Sequence, residues 1–239
     1  MNNLKKYLED YISPRILDIG SGKGDFIKLI DYIFQDYQEI IGIDIVDYLL
    51  EMDESAFNHN PKIKWMGKDV LETNFPKNSF DIISLSNTLH HINDIQSIFS
   101  QMEKMLKPGG MMIVNELMMA DDLTDGQISH QLLHSFAGRI DREIGKLHAQ
   151  VFTRENIINT IKKYSPLSIL DSWKLETKPF DEEITLDDLF KAIDGLLLNV
   201  KNHSNYNIYK EEAEALKAYL SKNGFSFAHQ LCVILKKEN

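Results

Sequence analysis

Cysteine is nearly missing from this chain: Cys232 stands alone in 239 residues. One thiol cannot close an internal disulfide or build a multi-cysteine zinc site, and such usage fits a reducing, cytoplasmic setting. Positive charge is scarce too. Lys and Arg number 26 against 36 Asp and Glu, a net charge of −10. Nucleic acids and anionic membranes are gripped through a cationic footprint, so neither is an expected partner. No apolar run is long enough to span a bilayer, and Met1-Asn2-Asn3-Leu4-Lys5-Lys6 leads into mixed charge rather than the apolar core of a signal peptide. Repeats, low-complexity runs and interdomain linkers are also lacking. The length suits one α/β domain, 1–239, that carries insertions.

What is present is concentrated at Arg15-Ile16-Leu17-Asp18-Ile19-Gly20-Ser21-Gly22-Lys23-Gly24-Asp25-Phe26. Ile16 to Ile19 reads as a buried parallel strand. A glycine-rich turn follows, then a helix with Phe26, Ile27, Leu29, Ile30 and Ile33 on one face. Glycines let the backbone turn sharply and let a ligand approach main chain closely. The helix start offers unpaired N–H groups. Together these suit a nucleotide-like ligand.

Spacing narrows the choice. Gly20, Gly22 and Gly24 give G-x-G-x-G, whereas a dinucleotide fingerprint wants G-x-G-x-x-G and finds Asp25 at its third position. Lys23 is not followed by Ser or Thr, which excludes a P-loop. A carboxylate at the helix start favours a ligand without phosphates and with a cationic centre. S-adenosylmethionine (SAM) meets both conditions.

Residues 16–24 resemble motif I of the class I SAM-dependent methyltransferases, specifically the small-molecule, UbiE-like type 11 group. Later landmarks come in that family's order: Ile41-Gly42-Ile43-Asp44, Gly67-Lys68-Asp69, Phe80 to Asn87, and Leu106-Lys107-Pro108-Gly109-Gly110. The resemblance covers residues 15 to 117 well and the remainder loosely. It implies an α/β fold: a Rossmann-like, seven-stranded, mostly parallel sheet with an antiparallel last strand and helices on both faces. The core would comprise 15–117, 151–176 and 225–237, with helical insertions at 118–150 and 177–224 forming a lid. It assigns SAM binding to Asp18, Gly20, Ser21, Gly22, Gly24, Asp44, Ile45, Asp69, Val70, Ser86 and Asn87. A strand-end acid such as Asp44 can accept hydrogen bonds from both ribose hydroxyls. By resemblance, Asp69 meets the adenine amino group, the Val70 backbone lies near the ring, and Ser86 and Asn87 lie near the methionine part.

Periodicity predicts the remaining elements. Helices are expected over 3–11, 46–57, 93–106, from Thr124 onward, 153–164, 185–199 and 209–221. Strands are expected over 39–44, 63–66, 80–85, 111–117, 167–175 and 225–236. The leading helix either covers the cofactor or simply packs. Phe136, Ile140, Ile144 and Leu147 would form the apolar face of the lid. His90, His91, Glu116, His130 and His134 are candidate bases, of which His91, Glu116 and His134 are carried forward as the catalytic set. His130 and His134 stand at i, i+4, a spacing that can grip a metal, but no metalloprotease Glu or cysteine accompanies them. No metal site is therefore assigned.

The expected activity is in-line transfer of a methyl group from SAM to a small-molecule acceptor. Three alternatives stay open. RNA or protein methylation would need a basic groove and lacks its Asn-Pro-Pro-Tyr type motif, Ser86-Asn87-Thr88-Leu89 standing instead. An NAD-dependent dehydrogenase would need the third fingerprint glycine. A non-catalytic SAM-binding protein would lack an acceptor cavity. The acceptor and the oligomeric state stay open, a homodimer among the options.

Overall fold

The computed structural model describes residues 2–45, 60–175 and 184–238. Its strands are β1 (Arg15–Ile19), β2 (Glu39–Asp44), β3 (Ile63–Gly67), β4 (Phe80–Ser86), β5 (Leu106–Met119), β6 (Phe152–Thr153), β7 (Ser168–Leu175) and β8 (Gln230–Lys236). The main path runs β3-β2-β1-β4-β5-β8-β7. Pairings from β3 to β5 are parallel, and β8 lies antiparallel between β5 and β7. The expected seven-stranded Rossmann-like sheet is therefore present, with two-residue β6 added beside the end of β5.

Side-chain alternation divides the core into two layers. Ile16, Ile40, Ile82, Ile113 and Ile234 face one side with helices α1 (Asn2–Leu8) and α2 (Asp25–Ile33). Leu17, Ile41, Ile83, Met112 and Val233 face the other with α3 (Ile95–Met105) and α5 (Arg154–Tyr164). Cys232 is wholly buried among the first set, and burial raises its thiol pKa, leaving it a small hydrophobe.

Several expectations are corrected in detail. The first helix ends at Leu8, not residue 11, because Pro14 disfavours helical backbone before it and Ser13 turns at φ +46°. It packs: Leu4 and Leu8 are fully buried and Tyr7 stacks on Trp173. Strand β5 begins at Leu106, since Gly109 and Gly110 exchange backbone hydrogen bonds with Lys237 and a bulge absorbs the turn. Residues 225–229 do not join β8. The Ser226 N–H donates to the Gly126 carbonyl and the Ala228 N–H to His130 Nδ1, so this segment is tied to a helix instead. The helix expected over 46–57 lies outside the described residues.

The insertions fold as helices α4 (Asp125–Glu143), α6 (Leu186–Asn199) and α7 (Tyr206–Asn223). Thr124 and Thr185 close capping boxes with Gln127 and Asp188, as Thr153 does with Asn156 at α5. The three inserted helices share a core built on Phe136, Ile140, Ile193, Leu197, Ala213 and Leu220. Ile144 packs at its edge, but Leu147 lies beyond the helix and is 47% exposed, so it does not complete the apolar face. Among the described residues no helix is long and apolar enough to cross a membrane.

Ile193 is completely buried in this cluster. Ile193→Ala is expected to cost about 2–5 kcal/mol in urea unfolding. Leu198→Ala, at a position 68% exposed on the same helix, should change stability by less than about 0.5 kcal/mol.

Candidate active site

The carboxyl ends of β1, β2 and β4 open onto a cavity of about 450 Å³, within the range of small-ligand sites. Gly20, Gly22, Asp44, Ile45, Asp69, Val70 and Asn87 line it, seven of the eleven residues assigned to SAM. Asp44 is fixed from both sides: its Oδ2 accepts the Gly22 N–H at 2.7 Å and its Oδ1 the Ile45 N–H at 2.8 Å. Asp69 Oδ1 accepts the Leu71 N–H at 2.8 Å, capping a turn that folds Val70 inward. A Cβ on Gly22, at φ +49°, would project into open space. That is the cradle expected where a ligand approaches main chain.

Four assigned residues stand behind the wall. Asp18 is buried, accepting from Ser84 Oγ at 2.6 Å. Ser21 is buried, and Gly24 is the left-handed residue that starts α2. Ser86 accepts from Asn115 Nδ2 at 3.0 Å and lines a small separate recess together with Asp25. Thr88, Ile92 and Asn93 line the main cavity without having been assigned. Thr88 explains the glycine at position 20: its Oγ1 donates to the Gly20 and Ser86 carbonyls, and an added Cβ on Gly20 would sit 2.2 Å from its methyl group.

After β4 the chain turns through Asn87 at φ +48°, which Asn tolerates better than most residues. Its N–H donates to the Asn115 carbonyl and its Oδ1 accepts the Leu117 N–H, clamping the turn to β5. This brings the three catalytic candidates into one neighbourhood, in different settings. His91 lines the main cavity, with Nδ1 at 3.2 Å from the Leu147 carbonyl. Glu116 is 1% exposed and lines none of the described cavities; its Oε1 holds His90 Nδ1 at 2.8 Å. His134 Nε2 lies 3.3 Å from His90 Nε2 and borders a second cavity of about 310 Å³. His148, which the sequence did not single out as a base, completes the group with Nδ1 at 2.7 Å from Asp141 Oδ2. His130 stands apart, between Phe225 and Phe227.

Comparison with known proteins matches residues 17–114 to the family described as "Methyltransferase domain". The match covers less than half of the chain. A demethylmenaquinone methyltransferase from Staphylococcus aureus is 28% identical over 102 residues, 43% of this chain and 42% of the relative. The chain thus spans about half or less of the length of the curated relatives it matches. Among solved structures, YcgJ from Bacillus subtilis superposes with a TM-score of 0.58 at 17% identity, covering 100% of this chain and 97% of its own. A Haemonchus contortus N-methyltransferase, solved with phosphomonomethylethanolamine and S-adenosylhomocysteine, gives 0.55 at 19%, covering 99% and 53%. At these identities the structures speak for the fold.

Burial shapes the electrostatics around both cavities. It lowers His91 to a pKa of about 4 and His134 to about 3, with nearby His90 as the next cause, so both are neutral at pH 7. Asp141 is held low by its hydrogen bond from His148. Asp18 is raised to about 7 by burial, against the hydrogen bond from Ser84.

Two outcomes follow for the domain. Gly20→Ala meets both a left-handed backbone and Thr88, whereas Gly22→Ala meets the backbone penalty alone, about 1–2 kcal/mol. Thermal melts of the unliganded proteins should therefore rank Gly20→Ala as the less stable. For Asp18, a folded pKa raised above the unfolded value contributes stability below about pH 4 that disappears as pH rises through about 7. Asp18→Asn, which mimics the neutral carboxyl, should remove that part of the decline, so its melting temperature gains on that of wild type between pH 4 and 7.

Proposed function

We propose that this protein binds SAM in the cavity between β1, β2 and β4 and transfers its methyl group to a small-molecule acceptor. The observation that carries the reading is that the glycine turn, the strand-end Asp44 and the Asp69-Val70 turn line one continuous volume. That set offers acceptors for ribose hydroxyls and an exocyclic amine. The lack of a third fingerprint glycine weighs against a dinucleotide. When bound, SAM supplies a methyl group on a positively charged sulfur, electrophilic enough to need no covalent enzyme intermediate.

The chain's own work is then positional. Asp44, fastened by the Gly22 and Ile45 amides, orients the sugar. Asn87, fastened to β5, sets the cavity wall next to His91. Alignment of donor and acceptor supplies several kcal/mol of the barrier. Helix α4 carries His134 over the acceptor side and excludes water there. His91, neutral at pH 7, has a lone pair that can take an acceptor proton, while His134 lines the acceptor side and Glu116 positions His90. The acidic net charge argues against a nucleic-acid acceptor, and the lone buried Cys232 fits a cytoplasmic, reducing site of action.

Calorimetric titration of the purified chain should show SAM binding and no binding of NAD. Asp44→Ala should weaken SAM about tenfold to hundredfold, the loss of hydrogen bonds to a charged group. Wild-type affinity in that variant, or preference for NAD, would overturn the assignment.

A further inference from the structure

His90, His134 and His148 come from three separate parts of the chain: the turn after β4, helix α4, and the loop beyond it. One ring nitrogen from each lies within 4.8 Å of the others. His90 Nδ1 is committed to Glu116 and His148 Nδ1 to Asp141. Carboxylate oxygens accept, so each Nδ1 carries the hydrogen and each Nε2 presents a lone pair. Carboxylates placed behind imidazoles in this way fix the tautomer and ring orientation of metal-binding histidines. His148 is 5% exposed and its Nε2 has no hydrogen-bond partner. A buried, unpaired acceptor is uncommon and calls for an explanation.

We infer that these three Nε2 atoms bind a divalent transition-metal ion, of the zinc or cobalt class, with a fourth position open to the cavity beside α4. Metal–imidazole bonds of about 2.0–2.1 Å in tetrahedral geometry set neighbouring nitrogens ~3.4 Å apart. The 3.3 Å between His90 and His134 already matches, and the third nitrogen needs only a small side-chain shift. Neutral imidazoles suit such ions, whereas Mg²⁺ and Ca²⁺ want oxygen. The i, i+4 pair His130 and His134 is not the ligand pair, because His130 accepts the Ala228 N–H.

The adjoining cavity indicates what would occupy the open position. His134 and His148 line it together with Arg139, Arg142, Gln131 and Ser135. Arg139 is paired with Glu212 and Arg142 Nη1 donates to the His148 carbonyl; the guanidinium donors left over, beside a divalent ion, favour a small molecule that donates oxygen. His91 connects the two cavities: it lines the one assigned to SAM, and its ring centroid lies 4.5 Å from that of His148. The metal site stands on the histidines alone; that its exchangeable ligand is the methyl acceptor rests on the methyl-transfer reading.

Untagged protein, stripped with a chelator and dialysed, would be titrated with Co²⁺ and followed by visible absorption, and separately with Zn²⁺ by calorimetry. Expected are one ion per chain and the visible bands of a four- or five-coordinate Co²⁺. His134→Gln and His148→Ala should abolish both signals, and Glu116→Gln and Asp141→Asn should weaken binding about 10–100-fold. Circular-dichroism melts identify variants that fail to fold, and His134→Gln on half-buried α4 supplies the test if His148→Ala is one of them. His203→Ala, on the surface beside Glu143, should bind normally. SAM titrations run in parallel separate the two readings. Asp44→Ala should lose SAM and keep metal, and His134→Gln should do the reverse. Absence of stoichiometric metal in wild type, or unchanged binding in folded His134→Gln, would overturn the site even if SAM still binds.

Discussion

The left-handed turn at Gly20 is the constraint on which the cofactor end of the molecule depends. Its carbonyl accepts the Thr88 hydroxyl while its missing Cβ leaves room for the Thr88 methyl group, so the ends of β1 and β4 are locked at contact distance. Gly22 then aims its N–H at Asp44, which fastens the end of β2 to the same turn. Three strands that meet only through the sheet thus acquire a shared rim. The cavity is a consequence of that rim, because neighbouring parallel strands diverge beyond their last ladder bonds where helices lead away in opposite directions.

A second, buried set of polar contacts organises the other end. β5 runs through the core and carries Asn115 and Glu116 toward its far end, each 1% exposed. Asn115 reaches Ser86 on one side and Gln230 on the other, while Glu116 takes His90 Nδ1 and the Leu117 N–H. Such groups are tolerable in the interior only when hydrogen-bonded, and their exact partners hold the loop after β4 in one conformation. On that loop His91 lines the first cavity, and His90 packs behind it against His134 and His148, which line the second.

The inserted helices complete the second cavity without belonging to the sheet. α4 is held by α6 and α7 through an apolar cluster of their own, and by residues 225–229 through the Gly126 and His130 contacts. The match to the methyltransferase family ends at residue 114, before any of these helices begins. The first cavity is therefore built mostly within the matched segment, and the second mostly outside it.

Strand and helix identity were legible in the sequence because local rules decide them. Ile16 to Ile19 reads as a buried strand, the threonines at 124, 153 and 185 marked helix starts, and Gly20, Gly22, Asp44 and Asp69, grouped by spacing and family resemblance, line one cavity. Where local pattern misled, a distant partner was responsible. Phe225 to His229 alternates like a strand, yet its Ser226 and Ala228 N–H groups go to α4; Glu116 was expected at a strand end, yet β5 continues to Met119 and the Glu116 carboxylate is claimed by His90, 26 residues away. The gathering of His90, His134 and His148 has no sequence signature, since the three spacings follow from how an insertion docks on a sheet. The sequence by itself determined most strands, the helix starts and the glycine turn, because each depends on periodicity and backbone sterics within a few residues. Only the tertiary structure decided which histidines meet and which carboxylates orient them, because those contacts arise from packing between elements that carry no record of one another.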